Sequence, residues 1–202
     1  GLRRKIILTE KKATEVRREE IITASLSLVE QYGLEKLNIV DIAKTVDLVP
    51  SAIYRHFGGK EEIIESLIEF AGAYLQGNIS QTLLSENHAV GRLEVLFDLH
   101  VKLIKEQPAI PRILFSLLSN DKNSRLKQKI LLVINKYVGN ITKIIADGQA
   151  KGEIPSDIDD KAAGILFLGM VQPLAILSQS SDGLSNHCPE SLWKIYRRGI
   201  TC

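Results

Sequence analysis

Between Asn38 and Phe57 the chain reads NIVDIAKTVDLVPSAIYRHF, and no other stretch restricts the possible folds as much. Ile39, Ile42, Ala43 and Val46 stand at i, i+3, i+4 and i+7, the spacing of a helix with one buried face. Asn38 occupies the position of an N-cap. Ile53 and Phe57 form an i, i+4 pair that gives a second short helix its inner side, leaving Ser51, Ala52, Tyr54, Arg55 and His56 around the other faces. Two short helices joined by a tight turn thus present small, polar and basic groups outward. Such a surface suits a charged partner with readable edges, and double-stranded DNA fits that description.

Hydrophobic spacing is helical along nearly the whole chain, and no alternating run with hairpin turn residues occurs, so the spacing predicts an all-α protein. Helix one is expected from about Glu15 to Tyr32, with Ile21, Ile22, Leu28 and Val29 on one face and Gly33 as its stop. Asn38 opens helix two, and Pro50 to Phe57 forms helix three. Gly58-Gly59 breaks the chain before a longer helix that starts at Lys60 with acids in its first turn, where the helix dipole favours them. Further helices are expected over Asn87 to Lys105, Arg112 to Leu118 and Lys122 to Lys151, the last ended by Gly152 and Pro155. Ile158 to Ser178, with Asp157 as cap, is apolar nearly all round, which calls for burial on both sides and points to a second copy of the chain as the cover. Ser178 to Pro189 reads as a loop and Glu190 to Arg198 as a last short helix.

Charge is uneven. Through Arg18 there are seven basic residues (Arg3, Arg4, Lys5, Lys11, Lys12, Arg17, Arg18) against Glu10 and Glu15, while the whole chain nets +2. The segment is read either as an arm that neutralises phosphates or as a solvated tail. The richest apolar run, Ala162 to Leu177, contains Gln172 and Pro173, and no run approaches the roughly 20 residues of a membrane span. The first residues lack the apolar centre of a signal peptide. Cys188 and Cys202 have no metal-like spacing and fit a reducing cytoplasm, so a cytoplasmic protein without a membrane partner is expected. His56, His88, His100 and His187 show no ligand spacing, and there is no phosphate-cradling Gly-rich loop, zinc-protease motif or nucleophile elbow. These readings predict a protein that is not an enzyme and has neither a metal nor a cofactor.

Tyr32-Gly33, the cap at Asn38, Asp41-Ile42-Ala43, Ile53-Tyr54-Arg55-His56-Phe57 and Lys60-Glu61-Glu62-Ile63 together resemble the tetracycline-repressor (TetR/AcrR) family of bacterial transcriptional regulators, over about Arg17 to Leu67. Beyond Leu67 the resemblance is architectural. It implies a basic arm at 1–14, a three-helix helix-turn-helix DNA-binding domain at 15–60, and a helical ligand-binding and dimerisation domain at 61–202. The DNA-contacting set it implies is Asn38, Ile39, Val49, Pro50, Ser51, Ala52, Tyr54, Arg55, His56 and Lys60. Tyr54 and Lys60 would meet phosphates and His56 a phosphate or a base edge. Ser51 and Ala52 would lie near bases, and Arg55 is suited to bidentate guanine contact. Relative to the family, Asp47 replaces the glycine of the turn and Val49 replaces a polar cap, with Pro50 presetting the first helical φ.

The resemblance implies a ligand-responsive repressor that binds a pseudo-palindromic operator as a homodimer, joined through helices near 122–151 and 158–178. Its effector would be a small, apolar molecule. Phe97, His100, Arg112, Phe115, Phe167 and Met170 are candidates for that site, although the three phenylalanines, Met170 and His100 are read first as core residues and second as pocket lining. A helical protein–protein adaptor without DNA binding is the alternative. It leaves the basic segment and the Tyr54 to Lys60 pattern without a role.

Overall fold

The computed structural model describes residues 2–119, 124–177 and 184–201, with the side chains of all of these except 2–12 and 184–187. Among the described residues there is no strand. The elements are α1 (Leu2–Tyr32), a 3-10 turn (Leu34–Lys36), α2 (Ile39–Thr45), α3 (Pro50–Ile53), α4 (Lys60–Ser85), α5 (Ala89–Glu106), α6 (Ala109–Ser119), α7 (Ser124–Ala150), α8 (Asp160–Leu177) and α9 (Leu184–Thr201). They form two compact units, Gly1–Phe70 with Arg112–Lys129, and Ala71–Pro111 with Ile130–Cys202. The helices α4, α6 and α7 each run unbroken from one unit into the other.

In the first unit α1 packs on α2 and on the 3-10 turn, and α2 packs on α3. The core is largely apolar: Ile21, Val29, Ile42, Ala43, Ile53, Ile63 and Leu67 are fully buried, with Phe57 beside them, and the buried Ser25 hydroxyl donates to the Ile21 carbonyl at 2.7 Å. Burying side chains of this size contributes about 1.5–3 kcal/mol each, which is what lets helices as short as α2 and α3 persist. Gly33, at φ +85°, ends α1 in the left-handed region, and its N–H donates to the Val29 carbonyl at 2.9 Å.

In the second unit α8 packs on α5 and α9, and α9 packs on α5. An aromatic cluster occupies the centre. The Phe97 ring stacks on Trp193 at 5.9 Å and meets Phe167 edge-on at 6.4 Å, while Tyr196 meets Phe167 at 5.6 Å and donates its hydroxyl to the Ala163 carbonyl at 2.9 Å. A Cβ on Gly148 would fall 2.5 Å from the Ala89 Cβ, so α7 and α5 approach at a distance that only glycine permits.

Several boundaries differ from the sequence expectation. α1 begins at Leu2 rather than near Glu15. From Leu2 on, the basic segment contains no glycine or proline and is rich in Lys, Arg, Leu and Ile, so nothing in it stops a helix. α3 is one turn, Pro50–Ile53, and Tyr54 to His56 continue as tighter turns, with the Arg55 and His56 N–H groups donating to Ala52 and Ile53. α6 starts at Ala109, because Pro111 falls in its first turn, where a backbone donor is not needed. The cap of α8 is Asp159, whose Oδ1 accepts from the Ala162 N–H at 2.9 Å, rather than Asp157. Part of the expected loop, from Leu184, is helical, and α9 carries Pro189 inside it, while 178–183 lie outside the described residues, as do Lys122 and Cys202.

α8 buries Ala163, Gly164, Phe167, Met170, Val171, Leu174 and Ala175. Its other side leaves Ile165, Leu166 and Ile176 about 60% exposed. By length and composition it is the one described helix apolar enough to cross a membrane, and a third of it is buried in its own unit.

Candidate nucleic-acid interface

The outward surface of α2, the turn and α3 follows from what these elements bury. Ile42 and Ala43 on α2, with Ile53 and Phe57 at α3 and just after it, all point into the core. Asn38 Oδ1 accepts from the Asp41 N–H at 2.9 Å and fixes the first turn of α2. The turn closes through the Leu48 N–H on the Ala43 carbonyl at 2.8 Å, with Asp47 left-handed at φ +53°, a conformation that Asp tolerates better than most residues. Val49 makes no side-chain cap, and Pro50 follows as the first helical residue.

These constraints leave Asn38, Val49, Pro50, Ser51, Tyr54 and Arg55 exposed, and Ile39, Ala52, His56 and Lys60 half-buried. Tyr54 is 56% exposed and Val49 63%. Among the described residues neither the Tyr54 hydroxyl nor the Arg55 guanidinium has a hydrogen-bond partner, so both are free to donate to an acceptor outside the protein. His56 is held differently: its Nδ1 is buried without a partner and its carbonyl accepts from Arg18. Lys60 begins α4 and lines a shallow cleft with Glu35, Glu61 and Leu117. Val40 on α2, 62% exposed, belongs to the same helix and escaped the sequence reading because it lies off the apolar stripe.

Behind this surface stands Arg18 of α1. Its guanidinium lies 3.9 Å from the centre of the Phe57 ring, donates to the His56 carbonyl and reaches Glu62 Oε1 of α4 at 3.3 Å. The second oxygen of Glu62 accepts from the Gly58 N–H at 2.6 Å. The Gly58 N–H, and after it Arg18, hold the Glu62 carboxyl below its ordinary range. The sequence showed the acids of the first turn of α4, but a pairing 44 residues away leaves no trace in spacing. One turn later Glu65 pairs with Lys129 at 2.7 Å and Arg125 at 3.1 Å, both on α7 within the same unit.

The candidate ligand residues divide between the units. Arg112 and Phe115 belong to the first, where Arg112 donates to the Glu30 carbonyl. Phe97, His100, Phe167 and Met170 belong to the second. Phe97 and Phe167 touch within the aromatic cluster, and both are buried. His100 Nδ1 shares a hydrogen bond with the Tyr137 hydroxyl at 3.0 Å, and burial pushes the imidazole down to about 4, so it is neutral at physiological pH. Tyr137 also lines a cleft of about 140 Å³ with Gly72, Leu75, Gln76 and Val133. On α4 the Asn78 Nδ2 and Thr82 Oγ1 atoms are buried without partners.

Residues 21–67 match the sequence profile of bacterial regulatory proteins of the tetR family, and residues 71–176 match that of the C-terminal region of YsiA-like proteins. Among curated proteins the chain is similar to the nucleoid occlusion factor SlmA of Vibrio atlanticus, 27% identical over 157 residues, which is 77% of this chain and 80% of that protein. The SlmA of Vibrio cholerae is 26% identical over the same shares. Among solved structures, a TetR transcriptional regulator from Chloroflexus aurantiacus has the same fold, with a TM-score of 0.82 at 20% identity over 94% of this chain and 96% of that one. So does the transcriptional regulator FadR from Bacillus subtilis in complex with stearoyl-CoA, with a TM-score of 0.75 at 22% identity over 90% and 98%. The second of the two profiles alone covers more than half of the chain, and with the helix-turn-helix described above it makes this protein a member of the tetR family of bacterial transcriptional regulators.

Proposed function

We propose that this DNA-binding regulator is a cytoplasmic repressor that binds a pseudo-palindromic operator as a homodimer and leaves it when a small, largely apolar effector occupies the second unit. The observation that carries the reading is the exposed surface of Tyr54 and Arg55, free of internal partners and held out by the buried Ile53 and Phe57. Ser51 and Ala52 approach bases, Tyr54 and Lys60 donate to phosphates, and Arg55 is the group suited to a guanine edge. Asn38, Ile39, Val49, Pro50 and His56 complete the contact set.

The uncovered apolar side of α8, with Ile165, Leu166 and Ile176, supports α8 as a dimer helix. Leu132 on α7 is 69% exposed and extends the same argument to that helix, as does Ile195 on α9. For the effector the second unit offers Phe97, His100, Phe167 and Met170, and the neutral His100 suits the uncharged part of a ligand, such as an acyl chain. The Bacillus subtilis regulator of the same fold holds stearoyl-CoA, which makes long-chain acyl-CoA the first probe. Since α4 runs from Lys60 to Ser85 without a break, a ligand-induced change in its path reaches the DNA-binding surface, and by linkage operator DNA weakens effector binding to the same degree.

The test is selection of bound fragments from a random DNA pool, followed by release with acyl-CoA. The expected result is an inverted repeat whose half-sites lie about one helical turn apart, roughly 34–36 Å, or more. Recovery of no enriched sequence contradicts the reading.

A further inference from the structure

We propose that Arg18 is a positioning residue for DNA recognition: it makes no contact with DNA itself but sets the recognition segment against α1 and α4 through the His56 carbonyl, the Phe57 ring and Glu62. The Arg18 side chain touches both the end of the α3 segment and the first turn of α4. Its guanidinium has a flat face and a fork of donors. The face covers Phe57, whose ring anchors the segment in the core, and the fork reaches a backbone carbonyl and a carboxylate. Glu62 closes the circuit by accepting from the Gly58 N–H, and a Cβ on Gly58 would come within 3.2 Å of that same Glu62 oxygen. Ser51 and Arg55, the groups assigned to base edges, lie just before the clamped residues, so their aim at those edges depends on it.

The seven basic residues before position 19 invite a simpler reading, in which Arg18 neutralises a phosphate. The geometry points the other way, because its donors are turned to groups within the protein. Its side chain remains 37% exposed and that of Glu62 45% exposed, and ion pairs of that exposure add little to stability. What the clamp determines is the mutual placement of three elements.

The inference rests on the reading that the Tyr54 to Lys60 surface binds DNA, and the experiment separates the two. Full-length wild type, Arg18→Met, Arg18→Lys and Glu62→Gln are titrated with the selected operator and with random duplex over a salt series. Failure of the wild type to bind any duplex overturns the DNA reading itself. If the wild type binds, Arg18→Met is expected to lose about tenfold or more in the ratio of operator to random-duplex affinity, with the slope of log K against log salt unchanged. Arg18→Lys loses less, since a lysine keeps the charge without the fork. Glu62→Gln weakens the ratio in the same direction, and adding it to Arg18→Met brings no further loss. A role confined to stability lowers the melting temperature and leaves the affinity ratio of the folded protein untouched, which overturns the proposal. A slope flattened by about 1.8, the signature of one lost phosphate contact in each protomer of the dimer, also overturns it.

Discussion

Burial lowers His100 from an ordinary 6.5 to about 4, and this links the fold to pH. Between those two values the unfolded chain takes up a proton that the folded protein refuses, so stability falls as pH drops from 6.5 toward 4 and is level above 6.5. The full difference is about 3 kcal/mol by the usual conversion of pKa shift to free energy. Urea unfolding from pH 8 to pH 4 should show that acid limb, and His100→Gln should flatten it. Asn38→Ala removes the acceptor of the Asp41 N–H and should cost about 1 kcal/mol in the same assay. The cap, the Ile53–Phe57 pair and the left-handed Asp47 were readable because each depends on neighbours within four residues. The Arg18–Glu62 clamp and the Phe97–Trp193 stack join residues far apart in sequence, and composition carries no record of such partners.

Helix placement was legible wherever a stripe of apolar residues met a clear stop, as at Gly33 and Gly152, both of which adopt positive φ. It failed where the punctuation misled. Pro189 reads as a break, yet a proline removes one hydrogen bond and bends a helix without forbidding it, and Trp193, Tyr196 and Ile200 anchor α9 in the core. The start of α1 was missed because no cap or breaker marks it. Helix contacts also separate glycines that look alike in sequence. Gly148→Ala forces a Cβ onto Ala89 and should destabilise by about 1–3 kcal/mol. Gly139→Ala, on the same helix with open space around it, should stabilise by up to about 1 kcal/mol. Calorimetry of the two variants checks the contrast.

For the protein as a whole, the expectation that α8 needs a cover on both sides is met on one side by its own unit, and the exposed Ile165, Leu166 and Ile176 call for the other. Ile165→Glu should shift the species seen by light scattering from dimer to monomer and weaken operator binding, since two linked half-site contacts become one. A wild type that scatters as a monomer at micromolar concentration contradicts that assembly. The candidate effector residues in the second unit were legible only as apolar periodicity, since core and pocket lining share one residue vocabulary.

Operator affinity of wild type and the Tyr54→Ala plus Lys60→Ala double variant, followed over a salt series, tests whether this surface is the one that binds DNA. The uncharged Tyr54 releases no counterion, so loss of Lys60 from both protomers of the dimer should reduce the slope of log K against log salt by about 1.8, and the double variant should weaken binding at every salt concentration. Unchanged affinity and slope would contradict the assignment of this surface to DNA.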